Sequence, residues 1–293
     1  MNLEELIYKW FSEYKPITEL MALFSGKPAI FYQIAPDDRQ KGWNGKSQYP
    51  RIVYGIDMQV NQERKSAGTM EISLLCDEAG TEPEKIEPLI RECLKDLIIN
   101  PDNSSPYCFA WSRTDGFEIP IRESGANTRV IGSEIRFDIL EYPSQETTDP
   151  DPVVALNRYV KDKFPEAFVM GLDNMDSFRV ADVKAPVFYC RLESVEKGRE
   201  TNTVAWMDGK IAIHVLCPAA DIRLKMIMSL ANNLSLDGEV IMLDKSPMTV
   251  KRLQVNNKAD YLKEGQLFVT GHYGLLRYKS KPHMIAEVNI DFG

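Results

Sequence analysis

The sequence predicts an α+β fold made of two similar modules, each a mainly antiparallel sheet with helices packed on it. Three observations lead there. A strand-like segment occurs twice, Gly68–Cys76 (GTMEISLLC) and Gly209–Cys217 (GKIAIHVLC), and the two share the Gly, an Ile, a Leu and the Cys. Before each stands a Pro followed by an apolar run, Pro50–Tyr54 and Pro186–Cys190, and after each comes an amphipathic helical pattern. A repeated order of elements, each needing to bury one face against the others, carries more weight than the identities themselves. Alternating strands and turn signals such as Asp208-Gly209 dominate the remainder, which favours antiparallel pairing.

The elements follow in order. Leu3, Leu6, Ile7, Trp10, Phe11 and Tyr14 recur at helical spacing, and Pro16 ends that helix. A polar loop over 35–47 precedes strands near 51–58 and 69–76. Ile86, Leu89, Ile90, Cys93, Leu94, Leu97 and Ile98 predict a helix over 84–99, with Pro83 and Pro88 shortening or kinking its first turn. Tyr107–Trp111 reads as a strand. In Thr128–Tyr142, Ile131, Ile135, Phe137 and Ile139 share one face and Glu134, Arg136 and Asp138 the other.

The plan then restarts. Residues 1–145 form the first module, 146–152 a Pro-rich linker and 153–293 the second module. The stretch Pro143–Pro152 is polar, contains no apolar residue besides its prolines, and predicts an extended connection. Val153, Leu156, Tyr159, Val160 and Phe164 suit a helix capped near Asp151. Strands near 187–194 and 210–217 follow, joined at Asp208-Gly209, and Leu224, Ile227, Leu230, Ala231 and Leu234 mark another helix. Gly271–Ser280 lies over Ile135–Ser144, and an alternating strand (Met284, Ala286, Val288, Ile290, Phe292) closes the chain.

Composition bounds the function. The chain has 293 residues, 44% hydrophobic and 27% charged, with no apolar run near the ~18 residues a bilayer crossing needs. The acidic start, Met1-Asn2-Leu3-Glu4-Glu5, lacks the basic opening of a secretory signal, and five unclustered Cys predict free thiols in a reducing compartment. Residues 1–150 carry 16 Lys+Arg and 25 Asp+Glu, a net of −9, whereas the rest carries 19 and 18, a net of +1. An acidic first half disfavours general nucleic-acid binding, which requires clustered Lys and Arg on phosphates.

The familiar chemical signatures are missing: no HExxH, paired CxxC, GxSxG or GxxxxGK[ST] occurs, and no catalytic, cofactor-binding or metal-binding residues are predicted. Buried small hydrophobes account for Cys76, Cys93 and Cys217, and a structural role in a strand accounts for His214. Glu82, Glu84 and Glu87 flank a helix start, where the macrodipole favours them. Trp43 stands apart, in the polar, Gly-flanked run Lys41-Gly42-Trp43-Asn44-Gly45. Two readings of it are open: a loop anchor, or a protein contact, since aromatics are enriched in interface cores. On the second, Asp37, Asp38, Arg39, Trp43 and Asn44 are candidate interface residues.

At Gln48–Ile56 (QYPRIVYGI) the chain begins to resemble bacteriophage tail-terminator and tail-completion (neck) proteins. The matching order is an amphipathic helix (3–14), a loop, a Tyr-Pro-apolar strand (49–56), a second strand (69–76) running into a helix (84–99), and closing strands (134–142). Residues 153–293 resemble it more loosely, with Ala185–Tyr189 in the equivalent place. The resemblance implies a non-enzymatic virion protein, assembled in the host cytoplasm. It would self-associate into a sixfold or pseudo-sixfold ring that caps the tail tube or sheath and meets head-completion proteins. No cofactor and no membrane are implied, and DNA passes without specific binding. Most such proteins have one module; with two, six chains would make a double layer, or three would mimic a sixfold ring. The alternatives are another tail component (tube, sheath-associated or baseplate) and a cytoplasmic enzyme with an unrecognised carboxylate or thiol site.

Overall fold

The computed structural model describes residues 1–44, 48–59, 66–102, 104–119, 129–145, 149–174, 176–182 and 186–277. The closing strand expected at 284–292 and part of the linker, 146–148, lie outside the described residues.

The first half opens with helix α1 (Leu3–Glu13). A capping box fixes its start: Asn2 accepts from the Glu5 amide while the Glu5 carboxylate accepts from the Asn2 amide. Its buried stripe is Leu3, Ile7 and Phe11. After the short α2 (Lys15–Thr18) come β1 (Leu23–Phe24), β2 (Lys27–Pro28), β3 (Ile30–Tyr32) and β4 (Trp43–Asn44), then the long β5 (Arg51–Met58) and β6 (Gly68–Asp77). Helix α3 (Pro83–Leu94) leads into β7 (Leu97–Ile99), β8 (Tyr107–Ile119) and β9 (Val130–Glu141).

The helix expected over 84–99 therefore stops at Leu94. Lys95 is extended, Asp96 takes a left-handed φ of 52°, and Leu97, Ile98 and Ile99 are fully buried strand residues. The apolar run continues one stripe to the eye, but burial on both faces suits a central strand as well as a helix.

The second half repeats the order. Helix α4 (Pro152–Lys163) starts on Asp151, whose carboxylate accepts from the Val153 and Val154 amides at 2.8 and 2.9 Å. Then follow β10 (Phe168–Val169), β11 (Phe178–Arg179), β12 (Val187–Glu200), β13 (Val204–Leu216), α5 (Ala220–Asp237), β14 (Glu239–Ile241), β15 (Pro247–Val255) and β16 (Leu267–Leu276). Gly238, at φ 69°, ends α5 in the left-handed conformation that costs a glycine least. Leu224, expected on the apolar stripe of α5, is exposed.

The two sheets have the same topology. The first runs β3-β5-β6-β9-β8-β7 and the second β10-β12-β13-β16-β15-β14. In each, the first pair is parallel and all others antiparallel. The registers agree as well: Ile52 faces Leu74 as Phe188 faces Val215, so Pro50 corresponds to Pro186 and Cys76 to Cys217. Gly68 faces Ile139 and Gly209 faces Gly271, so Ile139 corresponds to Gly271. The overlay of Gly271 on Ile135 read from the sequence was thus four residues out, an even slip that keeps the same side chains inward. Asp208-Gly209 is not a turn: both residues lie inside β13, between β12 and β16, and the chain reverses at 201–203.

Each sheet buries its inner face under its own two long helices. The first core gathers α1, α3 and the inward side chains of β5, β6 and β9; the second gathers α4, α5 and those of β12, β13 and β16. A third core lies where the outer faces of the two sheets meet. It joins Ile98, Cys108, Leu140 and Tyr142 of the first half to Val187, Tyr189 and Leu216 of the second. There β11 adds to the edge of β7, pairing Phe178 with Ile98, so the first sheet gains a strand from the second half. The end of the first module is docked beside this junction: the Tyr189 hydroxyl donates to the Pro143 carbonyl and the Leu192 amide to the Gln145 side chain.

Candidate functional site

The candidate interface residues lie between β3 and β5, and the structure brings them together. Trp43 and Asn44 form β4, which pairs with β1 in a small three-stranded sheet with β2, rather than a plain loop. Residues 45–47 of the expected loop are outside the described residues. The Trp43 ring packs edge-on against Phe24 (5.1 Å) and Phe31 (6.0 Å), and its indole N–H donates to the Asp37 carbonyl at 3.0 Å. Gly42, at φ 130°, lets the chain pass the Phe24 ring; a Cβ there would stand 2.8 Å from a ring carbon.

Asp38 is the polar centre of the segment. Its carboxylate accepts from Arg51 at 2.5 Å and from the Tyr49 hydroxyl at 2.9 Å, with Asp38 and Arg51 side chains only 12% and 13% exposed. The Arg51 guanidinium also lies over the Tyr49 and Trp43 rings, 4.7 and 5.8 Å from their centroids. Burial pushes the Tyr49 phenol up to about 12, against the opposing pull of Arg51, so it stays protonated as a donor to Asp38. Asn44 accepts from the Gly26 amide and Asp37 from the Arg39 amide.

Trp43 is therefore a loop anchor, and Asp38 is committed inside the segment. Asp37, Arg39 and Asn44 remain exposed, as does Ile34 at 81%. What this arrangement offers chemically is a rigid, aromatic-backed polar knob beside the outer face of the first sheet. Among its described residues there is no nucleophile–base pair.

Groups that carry chemistry elsewhere are placed as follows. The five cysteines are buried and unbridged, and burial pushes the thiols of Cys76, Cys93, Cys108 and Cys190 up to about 12, far from thiolate chemistry. His214 is 1% exposed, in the core between the modules, with Tyr189 at 5.5 Å and Tyr142 at 6.2 Å. Its Nδ1 lies 3.1 Å from the Tyr261 carbonyl, which fixes the Nδ1–H tautomer, and Nε2 is buried with no hydrogen-bond partner. Burial, helped by nearby Arg191, lowers its pKa to about 4. Asp96, also buried, accepts from the Tyr261 hydroxyl at 2.5 Å across the same junction.

Sequence reasoning missed one cluster. Asp208, Lys251 and His272 meet on the outer face of the second sheet, with His272 Nδ1 2.6 Å and Lys251 Nζ 2.8 Å from the Asp208 carboxylate. The two donors, Lys251 first, hold Asp208 below the usual carboxylate range. Trp206 stacks on the His272 ring at 4.9 Å and 10°. Nothing in the spacing of 206, 208, 251 and 272 announces this; only the strand register does. Among the described residues no group of three or more His, Cys, Asp or Glu is placed to hold a metal, and no helix is long and apolar enough to cross a membrane. No protein-family model matches the sequence, and no curated protein matches it.

Proposed function

We propose that this chain is a structural subunit of a bacteriophage or phage-like tail, a tail-terminator or tail-completion (neck) protein. In this reading it self-associates into a ring, caps the tail tube and meets head-completion proteins, while DNA passes through without specific binding. The observation that carries the reading is the duplication: two halves of the same strand order, with matching registers away from the β-bulges, in one chain. Repeated, non-catalytic-looking modules that bury apolar sheet faces against each other are suited to propagating contacts with further modules. The order α1, the Tyr49-Pro50 strand β5, β6 running into α3, and the closing strands β8 and β9 supports the same reading, because it is the order the resemblance rests on.

The test is localisation. Purified protein added to isolated tails lacking their neck should appear by negative-stain microscopy as a ring at the head-proximal end of the tube. Density along the tube or at the baseplate would replace this reading with another tail role. Robust turnover in a hydrolase screen, abolished by one Asp, Glu or Cys substitution, would replace it with an enzyme.

A further inference from the structure

The contact between the modules is a template for a contact between chains. Within the chain, the β7 edge and the outer face of β7-β8-β9 receive the outer face of β12-β13 and the β10–β12 connection, which supplies β11. Because the modules share one topology, each of these surfaces has a counterpart that no other module covers among the described residues. The counterpart of β7 is β14. The outward Ile98 of β7 is buried at the junction and β11 pairs along the β7 edge, whereas its counterpart Glu239 and the outward Ile241 of β14 are exposed, Ile241 at 56%, and among the described residues no strand pairs with the far edge of β14. At the other end, the counterparts of Val187, Tyr189 and Leu216 are Arg51, Val53 and Leu75. The first three are at most 3% exposed; Val53 and Leu75 are only partly buried, and Arg51 is covered by Asp38, Tyr49 and Trp43 of its own segment. The counterpart of the connection that carries β11 is the β3–β5 connection, with exposed Ile34, Asp37 and Arg39.

We propose that the β14 edge and the outer face of β14-β15-β16 receive the β3–β5 connection and the β5-β6 outer face of a second copy of this chain, head to tail. This rests on the self-association in the function proposed above, and not on the tail as its location. The donating side presents Asp37 and Asp77 beside Arg39, and the receiving side Arg252 beside Glu239, while Glu71 and Lys251 are paired within the chain, to Arg136 and Asp208. At longer range the first 150 residues carry −9 and the remainder +1. Such an interface is heterologous, so it closes into a ring or extends as a filament according to its rotation. It is also more polar than the internal one: Thr249 and His272 stand where Cys108 and Leu140 stand in the first sheet. The contact between chains is therefore salt-sensitive and reversible, while the internal one is permanent.

Two substitutions at exposed sites test this in the full chain: Ile34→Asp on the donating side and Ile241→Asp on the receiving side. By native mass spectrometry each alone should lose every species above monomer, with an unchanged melting temperature. Mixed in equal amounts they should form a dimer containing one of each, because the intact donor of one meets the intact receiver of the other. A two-fold interface in which each site meets its own copy cannot give that complementation. Hydrogen exchange at 239–241 should slow as wild-type concentration rises. A wild-type chain that stays monomeric, variants that assemble like wild type, or a mixture that yields no mixed dimer would overturn the proposal. So would protection at 239–241 that ignores concentration and vanishes when residues 278–293 are deleted, which would make the chain's own C-terminal segment the occupant. Assembly through these surfaces with no decoration of tails would leave this inference standing and remove the tail.

Discussion

His214 gives the inter-module core a measurable pH dependence. Its ring is 1% exposed between Tyr142 and Tyr189, and its Nε2 has no partner to receive a proton's charge. Burial, the nearby Arg191 charge second, lowers the pKa from 6.5 to about 4. Between those values the unfolded chain holds a proton on this residue that the native protein does not, so stability falls as pH falls and levels off below about pH 4. At about 1.4 kcal/mol per pH unit the full window costs about 3 kcal/mol, a large share of a typical 5–15 kcal/mol. Carboxylates titrate in part of the same window, so the informative quantity is a difference. His214→Asn keeps an amide donor for the Tyr261 carbonyl and removes the titration. Urea denaturation from pH 7.5 to 4.5 should show wild type the more stable at the upper end and its advantage shrinking by about 2–3 kcal/mol at the lower. A gap that does not change with pH, or an imidazole resonance of His214 that titrates near 6.5 by NMR, would refute the argument.

Other outcomes follow from the same coordinates. Trp43→Ala removes two edge-to-face ring contacts and the indole bond to Asp37, and should cost about 2–3 kcal/mol, less than a fully buried Trp because the ring is half-exposed, as read by chemical denaturation. Asp37→Lys, at an exposed carboxylate, should leave stability within about 0.5 kcal/mol and weaken self-association, read by sedimentation; Asp38 and Trp43 are poorer probes because they hold the segment together. With thiols near 12 for Cys76, Cys93, Cys108 and Cys190, a thiol reagent at pH 8 should leave these four unlabelled in the native protein and label them in denaturant. Asp151→Ala, which strips the cap from α4, should lower stability by about 1–2 kcal/mol in a denaturant titration.

Much of the fold was legible because its signals are local. The apolar stripe of α1, the Asp151 cap, the alternation of β9 and the paired anchors Gly68–Cys76 and Gly209–Cys217 each depend on a few neighbouring residues. What failed was decided at a distance. Leu97–Ile99 continues a helical stripe in sequence, yet β8 on one side and β11 on the other make it a strand. Asp208-Gly209 has turn composition, but β12 and β16 flank it, and Asp208 is held by Lys251 and His272. The short strands β10, β11 and β14 are too brief for any periodicity. At the candidate interface the sequence singled out Trp43, and left open whether it faces a neighbour or its own fold. Phe24, Phe31 and Arg51 decide that, and no spacing rule links them to residue 43.

The comparison between halves separates what holds a module together from what tells modules apart. Inward positions correspond in kind: Ile72 with Ile213, Leu74 with Val215, Phe137 with Val269, all buried aliphatic or aromatic side chains under helices. Outward positions do not. Where the first sheet has Ile98, Cys108 and Leu140, the second has Glu239, Thr249 and His272, and where the second has Tyr189 the first has Val53. A purely solvated outer face would need no such contrast. A chain whose modules dock on each other once, in a fixed order, does need it: if both sheets carried the apolar set, either would accept either partner, and the order of modules would be lost to mispairing. The same divergence leaves the outward face of β14-β15-β16 more polar than that of β7-β8-β9.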